Sequence, residues 1–449
     1  MLRPGLPSHL PFTPLPYGGT VSATSPSLER RLGLGDAVFI GVGSMVGAGV
    51  FAAFTPAAQV AGNGLLIGLL VAAVVAFCNA TASAQLAAVY PSSGGTYLFG
   101  RMQLGPWWGF IAGWSFLIGK MASCAAMAMV FAAYAVPPAW QRPVAIGAVV
   151  LLAAVNYRGI TRTARLTRII VVAVLVVLAT VVAAGIAAGP GEAVTAAGGL
   201  GDPGSWVAGG WHGMLQSAGL LFFAFAGYAR IATLSEEVRN PARTIPRAIV
   251  LSLGIAVVVY AAIALTLLLV LGSDRLASTA TPLADVVTSA GWGFAEPLTR
   301  VGAALASLGA LLALITGIGR TALAMARERD LPRWFAAVHP RFSTPHRAEV
   351  AVAVVVCVLV VSVDLRGAIG FSSFGVLLYY LVATVCAFTQ RGSERRYPRV
   401  LQVVGALGCV VLVATLPWQS TAAGIVVVVI GCLYRLAVQR SIRISAHTD

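Results

Sequence analysis

The residues of this chain whose types and spacing point to chemistry are mostly glycines. One stretch reads Gly41-Val42-Gly43-Ser44-Met45-Val46-Gly47-Ala48-Gly49-Val50-Phe51, with four glycines between positions 41 and 49. Each costs a helix about 1 kcal/mol relative to alanine, so a continuous helix is poorly supported there. A second stretch, Phe222-Phe223-Ala224-Phe225-Ala226-Gly227-Tyr228-Ala229-Arg230, sets a glycine beside aromatic bulk. Breaking a helix frees N–H groups where one half begins and C=O groups where the other ends; the first attract a carboxylate, the second accept from an ammonium. An α-amino acid offers both groups. The amides around Gly47, Ala48 and Gly49 are therefore the expected carboxylate site, and the carbonyls near Met45, Phe223 and Ala226 the expected ammonium site. Val46, Phe222, Phe225 and Gly227 complete the expected substrate-binding set. Close helix packing through the small residues Gly43 and Gly47 is the alternative reading of the first stretch.

Ionisable groups inside apolar runs come next. Lys120 is the only lysine among 30 cationic residues. It lies about 14 residues into its run, roughly 20 Å deep, beyond easy reach of either interface. A buried cation costs several kcal/mol unless it faces a cavity or a partner, so such a residue is functional by default. Two roles compete for it: a tethered replacement for a coupling cation, with protonation linked to transport, or direct attraction of an anionic group on the substrate. Arg230 lies near the end of its run, within reach of water. Two cations and no carboxylate along the path repel a dibasic solute and suit a neutral one.

The elements that carry these residues follow from composition. Of 449 residues, 58% are hydrophobic and 10% charged, which no water-soluble surface accommodates. Apolar runs of about 20 residues without a period of two require membrane-spanning helices and exclude a barrel. Twelve such runs begin near Asp36, Gly64, Pro106, Pro143, Leu166, Trp211, Arg247, Pro297, Ala348, Ala368, Val400 and Thr421. The net charge of +15 is spread over short loops, which marks topology rather than a nucleic-acid surface. With the N-terminus in the cytoplasm, only Arg142, Arg275, Arg300 and Arg366 fall in outer loops, and the remaining loop arginines fall inside. Both termini are thus expected to be cytoplasmic. The two glycine-interrupted runs are the first and the sixth, corresponding places in two halves of five, which is the sequence mark of a binding site in an inverted-repeat carrier. Residues 1–33, rich in proline and lacking an apolar core, read as a disordered leader.

At this point the chain resembles the amino acid, polyamine and organocation (APC) superfamily of permeases, near its bacterial cationic-amino-acid-transporter-like branch. The resemblance runs from about Leu34 to Tyr434. It rests on Gly41 to Phe51, on Tyr90-Pro91-Ser92-Ser93-Gly94-Gly95-Thr96-Tyr97, and on Phe223 to Tyr228 running into Ser235-Glu236-Glu237-Val238-Arg239-Asn240-Pro241. A fourth block runs from Gly319-Arg320 through Met325-Ala326-Arg327 to Asp330-Leu331-Pro332. It implies an all-α integral membrane protein of the LeuT type, with helices 1 and 6 broken. Its twelve transmembrane helices form inverted repeats over 34–190 and 205–390, two appended helices over 397–438 and a cytoplasmic tail over 439–449. It further implies a permease working by alternating access in the bacterial inner membrane, proton-coupled or exchanging. Glu236 and Glu237, with Arg230, become cytoplasmic gate residues, while the bland alternative is a surface pair worth about 0–1 kcal/mol. Two departures stand out: Ala229 occupies the place of the carboxylate that often follows the second break in cationic-substrate relatives. Val174 aligns near the lysine that proton-coupled relatives carry in the fifth span.

Other classes fit less well. His9, His212, His339, His346 and His447 lie in loops, tails or at a span edge, without H-E-x-x-H or metal-ligand spacing, so neither an intramembrane enzyme nor a metal or cofactor is expected. The six cysteines read as buried small hydrophobes. A sensor that binds the solute without moving it would share every feature above, but its usual mark, a long signalling tail after the last run, is not expected here. The expected partners are a small amino acid or amine and the lipid bilayer.

Overall fold

The structure, a computed structural model, describes residues 32–90, 94–159, 164–191, 202–207, 209–232, 237–342 and 344–448. Glu236 and most of the expected leader lie outside them. In chain order the first interrupted stretch forms α1 (Leu34–Met45), α2 (Ala48–Ala52) and α3 (Phe54–Ala61). There follow α4 (Leu65–Val89), α5 (Gly95–Gln103), α6 (Pro106–Ala135), α7 (Gln141–Tyr157), α8 (Ala164–Ala188) and α9 (Pro203–Val207). The second interrupted stretch forms α10 (Gly210–Phe225) and α11 (Ala229–Ala232). The chain ends with α12 (Pro241–Ser278), α13 (Pro282–Ser289), α14 (Glu296–Arg327), α15 (His346–Ser362), α16 (Leu365–Thr389), α17 (Arg399–Thr415) and α18 (Trp418–Thr448). Among the described residues the β content is one isolated bridge, between Leu32 and Val238.

Ten helical segments among the described residues are long and apolar enough to cross a bilayer. One shorter apolar helix, the 17-residue α17, stands beside them. Most helix starts fall within a few residues of the expected ones, as at Pro106 and Pro297, where a proline in the first turn loses no hydrogen bond; α12 starts at Pro241, ahead of the expected Arg247. The long α12 kinks at Gly272, whose φ of 73° suits glycine alone.

Large apolar side chains stand on the outer faces: Leu70 is 65%, Val258 69% and Leu407 61% exposed, a surface suited to hydrocarbon. At the centre stands α6, mostly buried and packed on α14 and α16. Its Gly119 meets Gly375 of α16 so closely that a Cβ on Gly375 would lie 2.7 Å from the Gly119 Cα. Buried polar groups tie α17 and the end of α16 to α4. Asn79 accepts from Thr384 at 2.8 Å and donates to the Cys409 sulfur at 3.2 Å, while Gln85 donates to the Ala387 carbonyl at 3.0 Å. Such groups are stable in an apolar interior only when paired.

Candidate substrate site between two interrupted helices

The helix started by α1 stops at Met45. Val46 (φ −77°, ψ 52°) and Gly47 (φ −102°, ψ −141°) leave the helical region, and the Gly47 amide donates to the Met45 carbonyl at 2.8 Å. The amides of Ala48 and Gly49 then open a new half-helix, where the first N–H groups have no carbonyl partner within it. Ala53 keeps helical angles, so α2 and α3 continue one helical path. In the second stretch α10 stops at Phe225. Ala226 and Tyr228 make only long contacts to the carbonyls three residues back, at 3.4 and 3.5 Å, before the ladder resumes with Arg230.

The two breaks touch. A Cβ on Gly227 would lie 2.1 Å from the Ser44 carbonyl oxygen, and one on Gly49 would lie 2.7 Å from the Ala224 Cα. Glycine at both positions is thus a condition of the crossing, and close packing accounts for Gly49 as fully as ligand binding does. Gly43 likewise packs against Val171 of α8, whereas Gly47 has more room: a Cβ there would lie 3.1 Å from the Ala310 methyl of α14.

The carbonyls expected to hold an ammonium converge here, and each accepts from the protein itself. Met45 O accepts from the Gly47 amide and, at 2.6 Å, from the Tyr260 hydroxyl of α12. The same hydroxyl lies 2.9 Å from Ala224 O, and its single hydrogen is shared between the two. Ala226 O accepts from the Tyr380 hydroxyl of α16 at 3.0 Å and from Lys120 Nζ at 3.2 Å. Both lone pairs of Ala226 O are therefore in use, one by an ammonium. Lys120 is 6% exposed, and its hydrogen-bond partner is this backbone carbonyl rather than a carboxylate.

Aromatic rings hold the acceptors in place. Phe222 packs edge-on against Tyr380 at 5.9 Å, Phe225 edge-on against Tyr260 at 4.9 Å, and Tyr228 stacks on Tyr380 at 4.7 Å. Phe222 and Phe225 are fully buried, Phe223 nearly so. Tyr260 escaped the sequence reading; the signal for it was a lone phenol in an apolar run, because a buried tyrosine hydroxyl needs a partner.

On the side of the α1 start, Leu32 donates to the Glu237 carbonyl at 3.0 Å and accepts from the Arg239 amide at 2.9 Å. The chain ahead of α1 is thereby joined to the chain after α11 through the backbone of Glu237. Arg230 extends toward α14, its Nη1 3.6 Å from where a Gly317 Cβ would be. A charged cluster that the sequence reading did not assign lies on the same side. Asp330 accepts from Arg101 and from the Tyr97 hydroxyl, both at 2.9 Å, and pairs with Arg435 of α18 at 3.2 Å. The Arg435 guanidinium sits 4.8 Å from the ring centres of both Trp107 and Phe110. Burial pushes the Asp330 carboxyl above the usual carboxylate range, against the opposing pull of Arg435, Tyr97 and Arg101. Asp36 of α1 pairs with Arg168 of α8.

An interrupted helix pair with facing breaks, set in a multi-pass helical bundle with an apolar exterior, defines a membrane carrier for a small polar solute. Residues 32–438 match the family described as "Amino acid permease", and the chain belongs to that family, within the APC superfamily. It is 58% identical over 404 residues to an uncharacterised transporter of Mycobacterium tuberculosis, covering 90% of each chain. It is 27% identical over 447 residues to the branched-chain amino acid permease BcaP of Bacillus subtilis, covering 92% of this chain and 94% of that one. With cationic amino acid transporter 4 of Homo sapiens it shares 30% identity over 387 residues, 81% of this chain and 60% of the human protein. The protein is a multi-pass membrane transporter for amino acids or related compounds, not an enzyme.

Proposed function

We propose that this permease carries a neutral amino acid by alternating access about the crossing of the two interrupted helices. The substrate carboxylate takes the free amides of Ala48 and Gly49 at the start of α2, favoured by the half-helix dipole. Its ammonium takes Ala226 O, in the place held here by Lys120, while Tyr380 keeps its bond to the same carbonyl and Tyr260 satisfies Met45 O and Ala224 O. The observation that carries this reading is the Lys120–Ala226 contact: an ammonium already sits on the carbonyl end of the second break. Lys120 then has to leave when substrate binds, and losing its proton is the low-cost way for a buried ammonium to do so. One proton released per substrate bound links transport to the proton gradient. With Lys120 neutral, Arg230 is the cation that remains beside the second break to repel a dibasic substrate, and Ala229 supplies no carboxylate to offset it.

In the same reading the ten long segments and the 17-residue α15 and α17 make twelve spans. The first ten form a LeuT-type inverted repeat, with both termini in the cytoplasm of a bacterial cell. The Leu32–Val238 bridge then joins the cytoplasmic ends of the two interrupted helices, and its release accompanies inward opening. The test is uptake of labelled amino acids into proteoliposomes across a range of pH. Leucine-sized neutral substrates should accumulate and dibasic ones should not; accumulation of dibasic substrates alone overturns the substrate assignment.

A further inference from the structure

A groove of about 310 Å³ lies between α6, α14, α15 and α18, apart from the substrate site. Trp114, Met121, Ala322, Phe335, Val355 and Tyr434 are among its walls, and no charged side chain lines it. Its walls run from Trp114 to Met121 on α6 and from Ala348 to Val355 on α15. Each of these stretches is about 10 Å of helix, against roughly 15 Å for the hydrocarbon of one leaflet. Along its flank Val354, Val355 and Val358 are 58%, 41% and 59% exposed on a face that meets hydrocarbon, so the groove opens sideways into lipid. At one end the chain turns through Pro332 and Phe335 with Arg333 between them, and α15 starts beside Arg347, whose guanidinium lies 5.5 Å from the Trp334 ring centre. Both arginines are exposed, and neither forms an ion pair among the described residues.

We infer that this groove binds one anionic phospholipid, with an acyl chain between α6 and α15 and its phosphate on Arg333 and Arg347. An apolar groove facing lipid forfeits dispersion contacts unless a chain fills it, and the arginine fork matches a phosphate. Unpaired basic residues at the mouth select an anionic headgroup over a zwitterionic one. The inference is independent of the proposed substrate; it takes from that reading only the placement of this end at the cytoplasmic leaflet.

Native mass spectrometry of the detergent-purified protein, titrated with phosphatidylglycerol or phosphatidylcholine, tests it. The wild type should retain one phosphatidylglycerol in preference to phosphatidylcholine. Ala351→Trp or Val355→Trp, which fill the groove, should cut that retention by about fivefold or more, a readily resolved change in affinity. Leu70→Trp, on the lipid-facing side of α4, should leave it unchanged. The double variant Arg333→Gln/Arg347→Gln should bind the two lipids equally. Equal binding of both lipids by the wild type, or equal retention by the groove-filling variants and Leu70→Trp, overturns the site. Uptake by these variants is scored separately, so loss of the lipid leaves the substrate reading standing or falling on its own result.

Discussion

Lys120→Met separates the proposed displacement mechanism from a structural role for the lysine. Lys120 is 6% exposed, and its ammonium makes a hydrogen bond to Ala226 O at 3.2 Å, beside the Tyr380 hydroxyl. Removing it forfeits a charge-assisted hydrogen bond worth about 1.5–3 kcal/mol, but Ala226 O keeps Tyr380 as donor. The same change relieves a desolvation penalty of several kcal/mol for an ammonium without a carboxylate partner. The two effects are of similar size and opposite sign, so the variant should unfold at a temperature close to that of the wild type. Binding should respond quite differently. If each substrate expels one proton, wild-type affinity rises up to tenfold per pH unit through the titration of Lys120, or about 100-fold over two units. In Lys120→Met nothing has to leave, so affinity should be flat with pH and at least as high as the wild-type maximum. Equilibrium binding of a labelled neutral amino acid to purified protein, followed across pH, measures both slopes. A variant that keeps the wild-type slope, or folds normally yet binds at no pH, refutes the mechanism.

Three further outcomes follow from the same geometry. Gly227→Ala puts a methyl 2.1 Å from the Ser44 carbonyl and should cost several kcal/mol in thermal unfolding, whereas Gly254→Ala, with open space around it, should be nearly neutral. Tyr260→Phe removes the hydroxyl shared by Met45 O and Ala224 O; a loss of about 1–3 kcal/mol is expected by denaturation, and an unchanged midpoint contradicts the shared bond. For Asp330, burial raises the folded-state titration above the unfolded one, so folding favours the protonated acid. Its contribution to stability is present below the ordinary carboxylate range and fades as pH rises through the raised value. Asp330→Asn, which mimics the acid, should flatten the pH dependence of thermal unfolding as pH rises above the ordinary carboxylate range; an unaltered profile counts against the assignment.

Much of this arrangement was legible in the chain because membrane physics writes large letters. Helix starts were readable from prolines such as Pro106 and from the edges of apolar runs, and the interruptions at Val46–Gly47 and Ala226–Tyr228 from the cost of glycine in a helix. What fills the space around those breaks was not legible. Gly49 and Gly227 look alike in sequence to glycines that bind ligands, yet both sit where two backbones cross. Tyr260 is separated from Met45 by more than 200 residues, and no local pattern announces that its hydroxyl caps that carbonyl. Lys120 was conspicuous as a lone cation, but its partner, a main-chain carbonyl, has no sequence signature. The Asp330 cluster joins α5, the end of α14 and α18, and only tertiary packing brings Arg101 and Arg435 to one carboxylate.

The central claim, that a zwitterion bridges the two breaks, is tested most directly by determining the structure with a saturating neutral amino acid. The account predicts ligand density at the crossing, with the carboxylate against the Ala48 and Gly49 amides, the ammonium on Ala226 O, and Lys120 withdrawn from that carbonyl. A substrate bound away from both breaks, with Lys120 still on Ala226, contradicts it.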